Sequence, residues 1–235
     1  MFADMLAYLA DPAHWSGSSG VPMRMAEHLW YTLLALGFSA VVAVPLGLLI
    51  GHLRVGQTVV VGTANVLRAL PSLGVMTLLV LLWGLGLVPP LTALVLLGIP
   101  PLLAGVYSGI ANVDRSVVDA ARSMGMTHRQ VLFDVEVPNA MPLIVGGLRG
   151  STLQIVATAT IAAYVNLGGL GRYIFDGLSV YDYGQVLVGA VLVAVLALIL
   201  DGALVLLGRV VHPQHGVLGR LDADTKQTID ARCGS

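Results

Sequence analysis

The sequence predicts an all-α membrane protein with about five transmembrane helices, and three observations carry that prediction. Of 235 residues, 57% are hydrophobic and only 11% charged, against about 25% charged in a typical soluble domain. Mean hydropathy is +0.87. The apolar residues fall in runs of roughly 20, the length a helix needs to cross a bilayer that cannot solvate backbone groups. The same composition excludes a disordered chain and a soluble enzyme. A net charge of -1 provides no basic surface for nucleic acid. The single cysteine, Cys233, excludes an intrachain disulfide framework and a cysteine-cluster metal site.

The N-terminal segment, residues 1–25, has Phe2, Met5, Leu6 and Leu9 at helical spacing, with Tyr8 and Trp15 nearby. It reads as an amphipathic helix on a membrane surface or as a frayed terminus. Asp4 and Asp11, the lack of an early positive charge and an interrupted apolar run argue against a signal peptide. Within a transmembrane domain of residues 26–211, the expected spans are Leu29–Ile50, Leu70–Leu87 with a helical lead-in from Thr58, Leu91–Ile110, Pro142–Tyr164 and Gln185–Val211. Gly84, Gly86, Pro89 and Pro90 read as a tight turn between the second and third. Residues 212–235 form a polar tail.

Lys and Arg set the orientation. Arg54, Arg115, Arg122, Arg129, Arg209, Arg220, Lys226 and Arg232 fall on one side, and only Arg24 and Arg172 on the other. The N-terminus is therefore expected outside, with the loop 112–139 and the tail in the cytoplasm.

That loop is the most informative segment. Asp114 is suited to cap a helix and Gly125 to end it. Between them Val117, Ala121 and Met124 recur at i, i+4, i+7 as an apolar stripe. Thr127 with Gln130 has the form of a capping box that restarts a helix, and Pro138 ends that helix or begins the next span. A helix this short is marginal alone in water. Its stripe packs under its own bundle or docks in a groove of a cytoplasmic partner.

These residues carry a resemblance. Asp119-Ala120-Ala121, three residues, Gly125, nine residues and then Val135-Glu136-Val137-Pro138 resemble the EAA loop of ABC-importer permeases. The family pattern is Glu-Ala-Ala, three residues, Gly, nine residues, Ile, any residue, Leu, Pro. This sequence departs from it by Asp for Glu and Val for both Ile and Leu, with the spacing intact. Pro142-Leu-Ile-Val-Gly-Gly-Leu-Arg149, Asn166-Leu-Gly-Gly-Leu-Gly171, Ile174-Phe-Asp-Gly-Leu178 and Arg68-Ala-Leu-Pro-Ser-Leu-Gly74 are most similar to the osmoprotectant branch, importers of glycine betaine, carnitine, choline or related solutes. The resemblance runs from about Glu27 to Val211.

It implies a type I importer transmembrane domain, with the loop helix coupling to separate ABC ATPase subunits. Asp119, Ala120, Ala121, Met124, Gly125 and Pro138 are the implied coupling residues, with the alanines allowing close approach. The implied partners are two ATPase subunits carrying ATP and Mg, a second permease subunit, identical or similar, and an extracytoplasmic solute-binding protein. The resemblance also implies transport by alternating access.

No cofactor is expected in this chain. The only lysine, Lys226, lies between Thr225 and Gln227, so there is no P-loop. Gly168, Gly169 and Gly171 do not spell a dinucleotide fingerprint and read as an external turn. His14, His28, His52, His128, His212 and His215 form no zinc-protease motif. His212 and His215 in the tail could catch a metal, but a solvated tail accounts for them. No enzymatic site is expected.

Polar residues at bilayer depth face a bundle interior or a water path. Ser151, Gln154 and Thr158 share one face of the fourth span, with Thr152 and Thr160 beside it. They wall a translocation path or hydrogen-bond between helices. Arg149 snorkels, pairs with an acid or touches the loop, and Arg68 could do likewise. Asp201, deep in the fifth span, must be paired, hydrated or protonated. Trp30, Tyr31, Trp83, Tyr107 and Tyr164 form no clear cage for a cation, and Trp30, Trp83 and Tyr164 suit interface anchors. Two other functions remain open at this point. One is an ABC-importer permease for another small solute such as an amino acid. The other is a stand-alone carrier or channel, for which Asp201 would be the ion-coupling site.

Overall fold

The computed structural model describes residues 2–211, apart from the side chains of Gln57, Val59, Val60, Val61, Asn65, Arg68 and Val211. The expectations for Arg68, for His212 and His215, for Cys233 and for the tail lie outside the described residues. Ten α-helices follow in chain order among the described residues: α1 (Phe2–Ala10), α2 (Val21–Leu53), α3 (Gln57–Ala69), α4 (Ser72–Trp83), α5 (Val88–Ala111), α6 (Arg115–Ser123), α7 (His128–Gln130), α8 (Val137–Ala162), α9 (Gly171–Ser179) and α10 (Tyr183–Val211). A π-helical stretch, Val131–Glu136, joins α7 to α8 without a break.

Among the described residues, four helical runs are long and apolar enough to cross a membrane: α2, α5, the run His128–Val165 and α10. The expected segment Leu70–Leu87 is present in shorter form. Pro71 forces Leu70 into extended backbone, which separates α3 from the 12-residue α4. At 1.5 Å per residue α4 spans about 18 Å, short of the ~30 Å hydrocarbon layer. The expected turn is also divided. Gly84 and Gly86 make it with positive φ, whereas Pro89 and Pro90 belong to the first turn of α5, where a missing N–H costs nothing.

α5 lies at the centre, with Leu94, Leu97, Leu102, Val106 and Ile110 buried along it. α2 and α8 pack on it through small residues. A Cβ on Gly147 of α8 would stand 2.8 Å from the Gly105 Cα of α5, so the two backbones touch where neither has a side chain. α10 is mostly exposed, with Leu198, Ile199, Leu206 and Val210 on its open face. The N-terminal segment is ordered as α1, seated by Tyr8 in an apolar cluster with Val21, Leu170, Tyr173 and Leu196. Tyr8 also stacks on His14 with ring centroids 3.6 Å apart.

Candidate functional site

The loop between α5 and α8 is built from local signals. Asp114 Oδ1 accepts from the Ser116 N–H at 2.9 Å and starts α6. That bond holds the Asp114 carboxyl below its usual range. α6 ends in a Schellman turn. The Gly125 N–H donates to Arg122 O at 2.9 Å and the Met126 N–H to Ala121 O at 3.3 Å. Gly125 has φ +86 and open space where a Cβ would stand, so glycine is needed there for backbone conformation and not for room. Thr127 and Gln130 then close a reciprocal capping box, with the Thr127 N–H donating to Gln130 Oε1 at 2.8 Å. Pro138 lies in the first turn of α8, inside the continuous helical run His128–Val165, so it neither ends the loop helix nor starts a separate one.

The structure rotates α6 relative to the expected stripe. Val118 and Ala121 are buried, packed with Ile110, Val113, Val131 and Ala140. Val117 and Met124 are exposed, as are Asp119 and Ala120. Val117, Ala121 and Met124 therefore do not share one covered face. The cluster beneath the helix lies on the Val118 side, which turns Ala121 inward and leaves Val117, Ala120 and Met124 as an outward apolar row. Ala121 supports this row from inside the chain and is not itself a contact surface.

Two residues at the end of α2 reach the loop. His52 Nδ1 and Glu136 Oε2 are 2.5 Å apart, and Glu136 is only 2% exposed. The His52 ring also meets the His128 ring edge-on at 5.7 Å. Arg54 Nη2 donates to Val113 O at 3.3 Å. Sequence reasoning missed His52 and Glu136. Asp134 and Glu136 both interrupt the apolar residues of Val131–Val137, only Glu136 is buried, and nothing local selects it or points to a histidine 84 residues away.

The polar face of α8 serves two purposes. Ser151 Oγ donates to Gly98 O at 2.7 Å and ties α8 to α5. Thr158 Oγ1 donates to Gln154 O at 2.7 Å within the helix. Gln154 is exposed and lines a cavity of about 450 Å³ with Leu70, Ser72, Leu97 and Pro101. Thr152 and Thr160 bond back to Leu148 O and Val156 O of their own helix. Arg149 grips Asp201 of α10 with two parallel bonds, Nε to Oδ1 at 2.7 Å and Nη2 to Oδ2 at 2.8 Å, which gives Asp201 its partner.

At the opposite end, Gly169 has φ +86 and makes the expected turn. Its N–H donates to Glu27 Oε2 at 2.8 Å, and Arg24 Nη1 donates to the same oxygen at 2.9 Å. Trp30, Trp83 and Tyr164 are more than half exposed. No group of three or more metal-ligating side chains occurs among the described residues.

Comparison with known proteins follows the same outline. A family model described as binding-protein-dependent transport system inner membrane component matches residues 43–212. The glycine betaine/carnitine/choline transport system permease protein OpuCB of Bacillus subtilis is 37% identical over 191 residues, 81% of this chain and 88% of that protein. The osmoprotectant import permease protein OsmW of Salmonella typhimurium is 32% identical, covering 90% of this chain and 98% of that one. Among solved structures, an inward-facing MetNI methionine ABC transporter chain superposes with a TM-score of 0.73 at 21% identity, over 86% of this chain and 99% of that chain. At that identity the likeness is one of fold.

Proposed function

The chain belongs to the family of binding-protein-dependent transport system inner membrane components, and from that premise we propose that it is the permease subunit of an ATP-driven osmoprotectant importer. Its solutes are glycine betaine, choline and carnitine, as the names of its relatives suggest, and the same reading extends to proline-like osmoprotectants. The observation that carries the coupling role is the outward row Val117, Ala120 and Met124, on a short helix capped at both ends and held from beneath. An exposed apolar row on a rigid knob suits a groove in a partner. Asp119 and Ala120 lie on its open side. Ala121 packs under it, Gly125 turns the chain at its end and Pro138 lies in the continuous run His128–Val165 that receives its motion.

Two ATPase subunits with ATP and Mg, a second permease subunit and an extracytoplasmic binding protein complete the assembly. It sits in the cell membrane with the N-terminus outside and the loop in the cytoplasm, a reading supported by the Lys and Arg distribution. The solute passes the cavity at Gln154, with Thr158 behind it and Ser151 holding α8 on α5. A stand-alone carrier would depend on Asp201, which is engaged on both carboxylate oxygens by Arg149.

Gly125→Asp tests the reading. A side chain at φ +86 is strained, and the added charge stands beside the apolar row. The variant is expected in the membrane at wild-type levels, with ATP-driven uptake of glycine betaine abolished. Normal uptake would contradict the coupling role. Uptake of methionine but not betaine by the wild type would contradict the solute class.

A further inference from the structure

We propose that the end of α2, through His52 and Arg54, is a clamp that carries the motion of loop 112–139 into the first span. This rests on the coupling role of the loop. The two roots of the loop, Val113 just after α5 and Glu136 just before α8, are held by residues two positions apart on one helix end. Arg54 Nη2 donates to Val113 O at 3.3 Å, and His52 Nδ1 meets Glu136 Oε2 at 2.5 Å. A third contact comes from the middle of the loop, where the His128 ring lies edge-on to His52.

The clamp is built into the backbone on both sides. The π-helical stretch Val131–Glu136 adds a wider turn at the point where Glu136 enters the interior. Arg54 adopts a left-handed φ of 53, an uncommon conformation for a residue with a side chain. Upstream, Gly51 leaves room for Ile110, whose Cβ would lie 2.7 Å from a Cβ added there. The end of α2 is thus fitted against the end of α5, where the loop begins. Because His52 and Glu136 are both largely desolvated, their bond is strong and directional in a way that exposed contacts are not. A displacement of α6 then moves α2 along with α5 and α8, and the loop does not flex at its roots.

The test uses the reconstituted importer with its ATPase and binding protein, and reads glycine betaine uptake per ATP hydrolysed. The double variant His52→Leu/Glu136→Leu removes both polar partners and strands neither, a replacement that is nearly neutral for stability. A purely structural pair predicts an unchanged ratio. The clamp predicts that the ATPase still co-purifies and hydrolyses ATP while uptake per ATP falls about tenfold, within the usual range of coupling energies. His52→Gln, which keeps a donor toward Glu136, is expected to recover most of the wild-type ratio. Arg54→Ala alters only the other root, and a smaller fall than in the double variant is expected. A wild-type ratio in the double variant, or in Arg54→Ala should the double variant fail to fold, would overturn the clamp. If Ala120→Asp and Gly125→Asp both keep the wild-type uptake per ATP, the coupling reading fails, separately from the clamp.

Discussion

α2 holds both ends of the molecule, and it does so differently at each. At the start of α2, Glu27 accepts from the Gly169 N–H and from Arg24, and the Arg24 and Glu27 side chains are 21% and 23% exposed. At its other end, His52 and Glu136 form a side-chain pair with 9% and 2% exposure. One end is fastened by a wet contact to backbone and is overlaid by α1 and the Tyr8 cluster. The other is fastened by a dry contact between side chains and leaves Val117, Ala120 and Met124 uncovered. An end that only needs to keep its shape can rely on backbone hydrogen bonds. On the proposed coupling role, an end that transmits force while presenting an open surface needs its rigidity beneath that surface.

The comparison presumes a rigid body between the two ends, and the largest effect should come from breaking it. Gly147→Val would push a side chain against Gly105 and Pro101 O, at a cost of about 3 kcal/mol or more from overpacking. A large drop in the thermal midpoint of the detergent-solubilised protein would register this, and an unchanged midpoint would show that the α5–α8 contact is loose. Glu136→Ala strands the buried His52 donor and should cost about 1–3 kcal/mol. Glu27→Ala, at the wetter end, strands the Gly169 N–H where water can reach it more readily and should cost less. A reversal of that order would break the contrast outright. Gly125→Ala meets no steric obstacle, so its cost is conformational, about 1 kcal/mol. Selective loss of protection of α6 in hydrogen exchange, with α9 unaffected, is the expected sign.

The smallest effect is a pH dependence confined to the loop. The Ser116 N–H bond lowers the Asp114 pKa in the folded state. The contribution of that cap is therefore complete above the ordinary aspartate pKa and is lost as pH falls through the lowered value. Protection of the α6 amides should fall in acid in the wild type, and Asp114→Ala should remove that dependence. An α6 that keeps the same acid response without Asp114 would assign it elsewhere.

Local features of the loop were legible in the sequence because each one acts within three or four residues. Asp114, Gly125 and the Thr127–Gln130 box occupy the positions their residue types imply. The membrane fold was legible for a similar reason, since a run of apolar residues carries its own evidence. What was not legible depends on parts of the chain that lie far away. The rotation of α6 is decided by Ile110, Val131 and Ala140, so the stripe Val117, Ala121 and Met124 misidentified the covered side. Asp201 needs a partner by the cost of an isolated charge in the membrane, yet only the packing of α8 on α10 selects Arg149. Pro71 sits inside an apolar run, and splitting that run into α3 and α4 required weighing one proline against the hydropathy around it.

The central claim is that α6 offers Ala120 to a motor subunit. Ala120→Cys in the intact membrane, treated with a short bifunctional thiol reagent against cysteines introduced around the ATPase groove, measures this directly. The account predicts a cross-linked permease–ATPase species whose yield changes with the nucleotide state. Failure of Ala120→Cys to cross-link, together with its labelling by a lipid-phase reagent or from the outer face of the membrane, would contradict it.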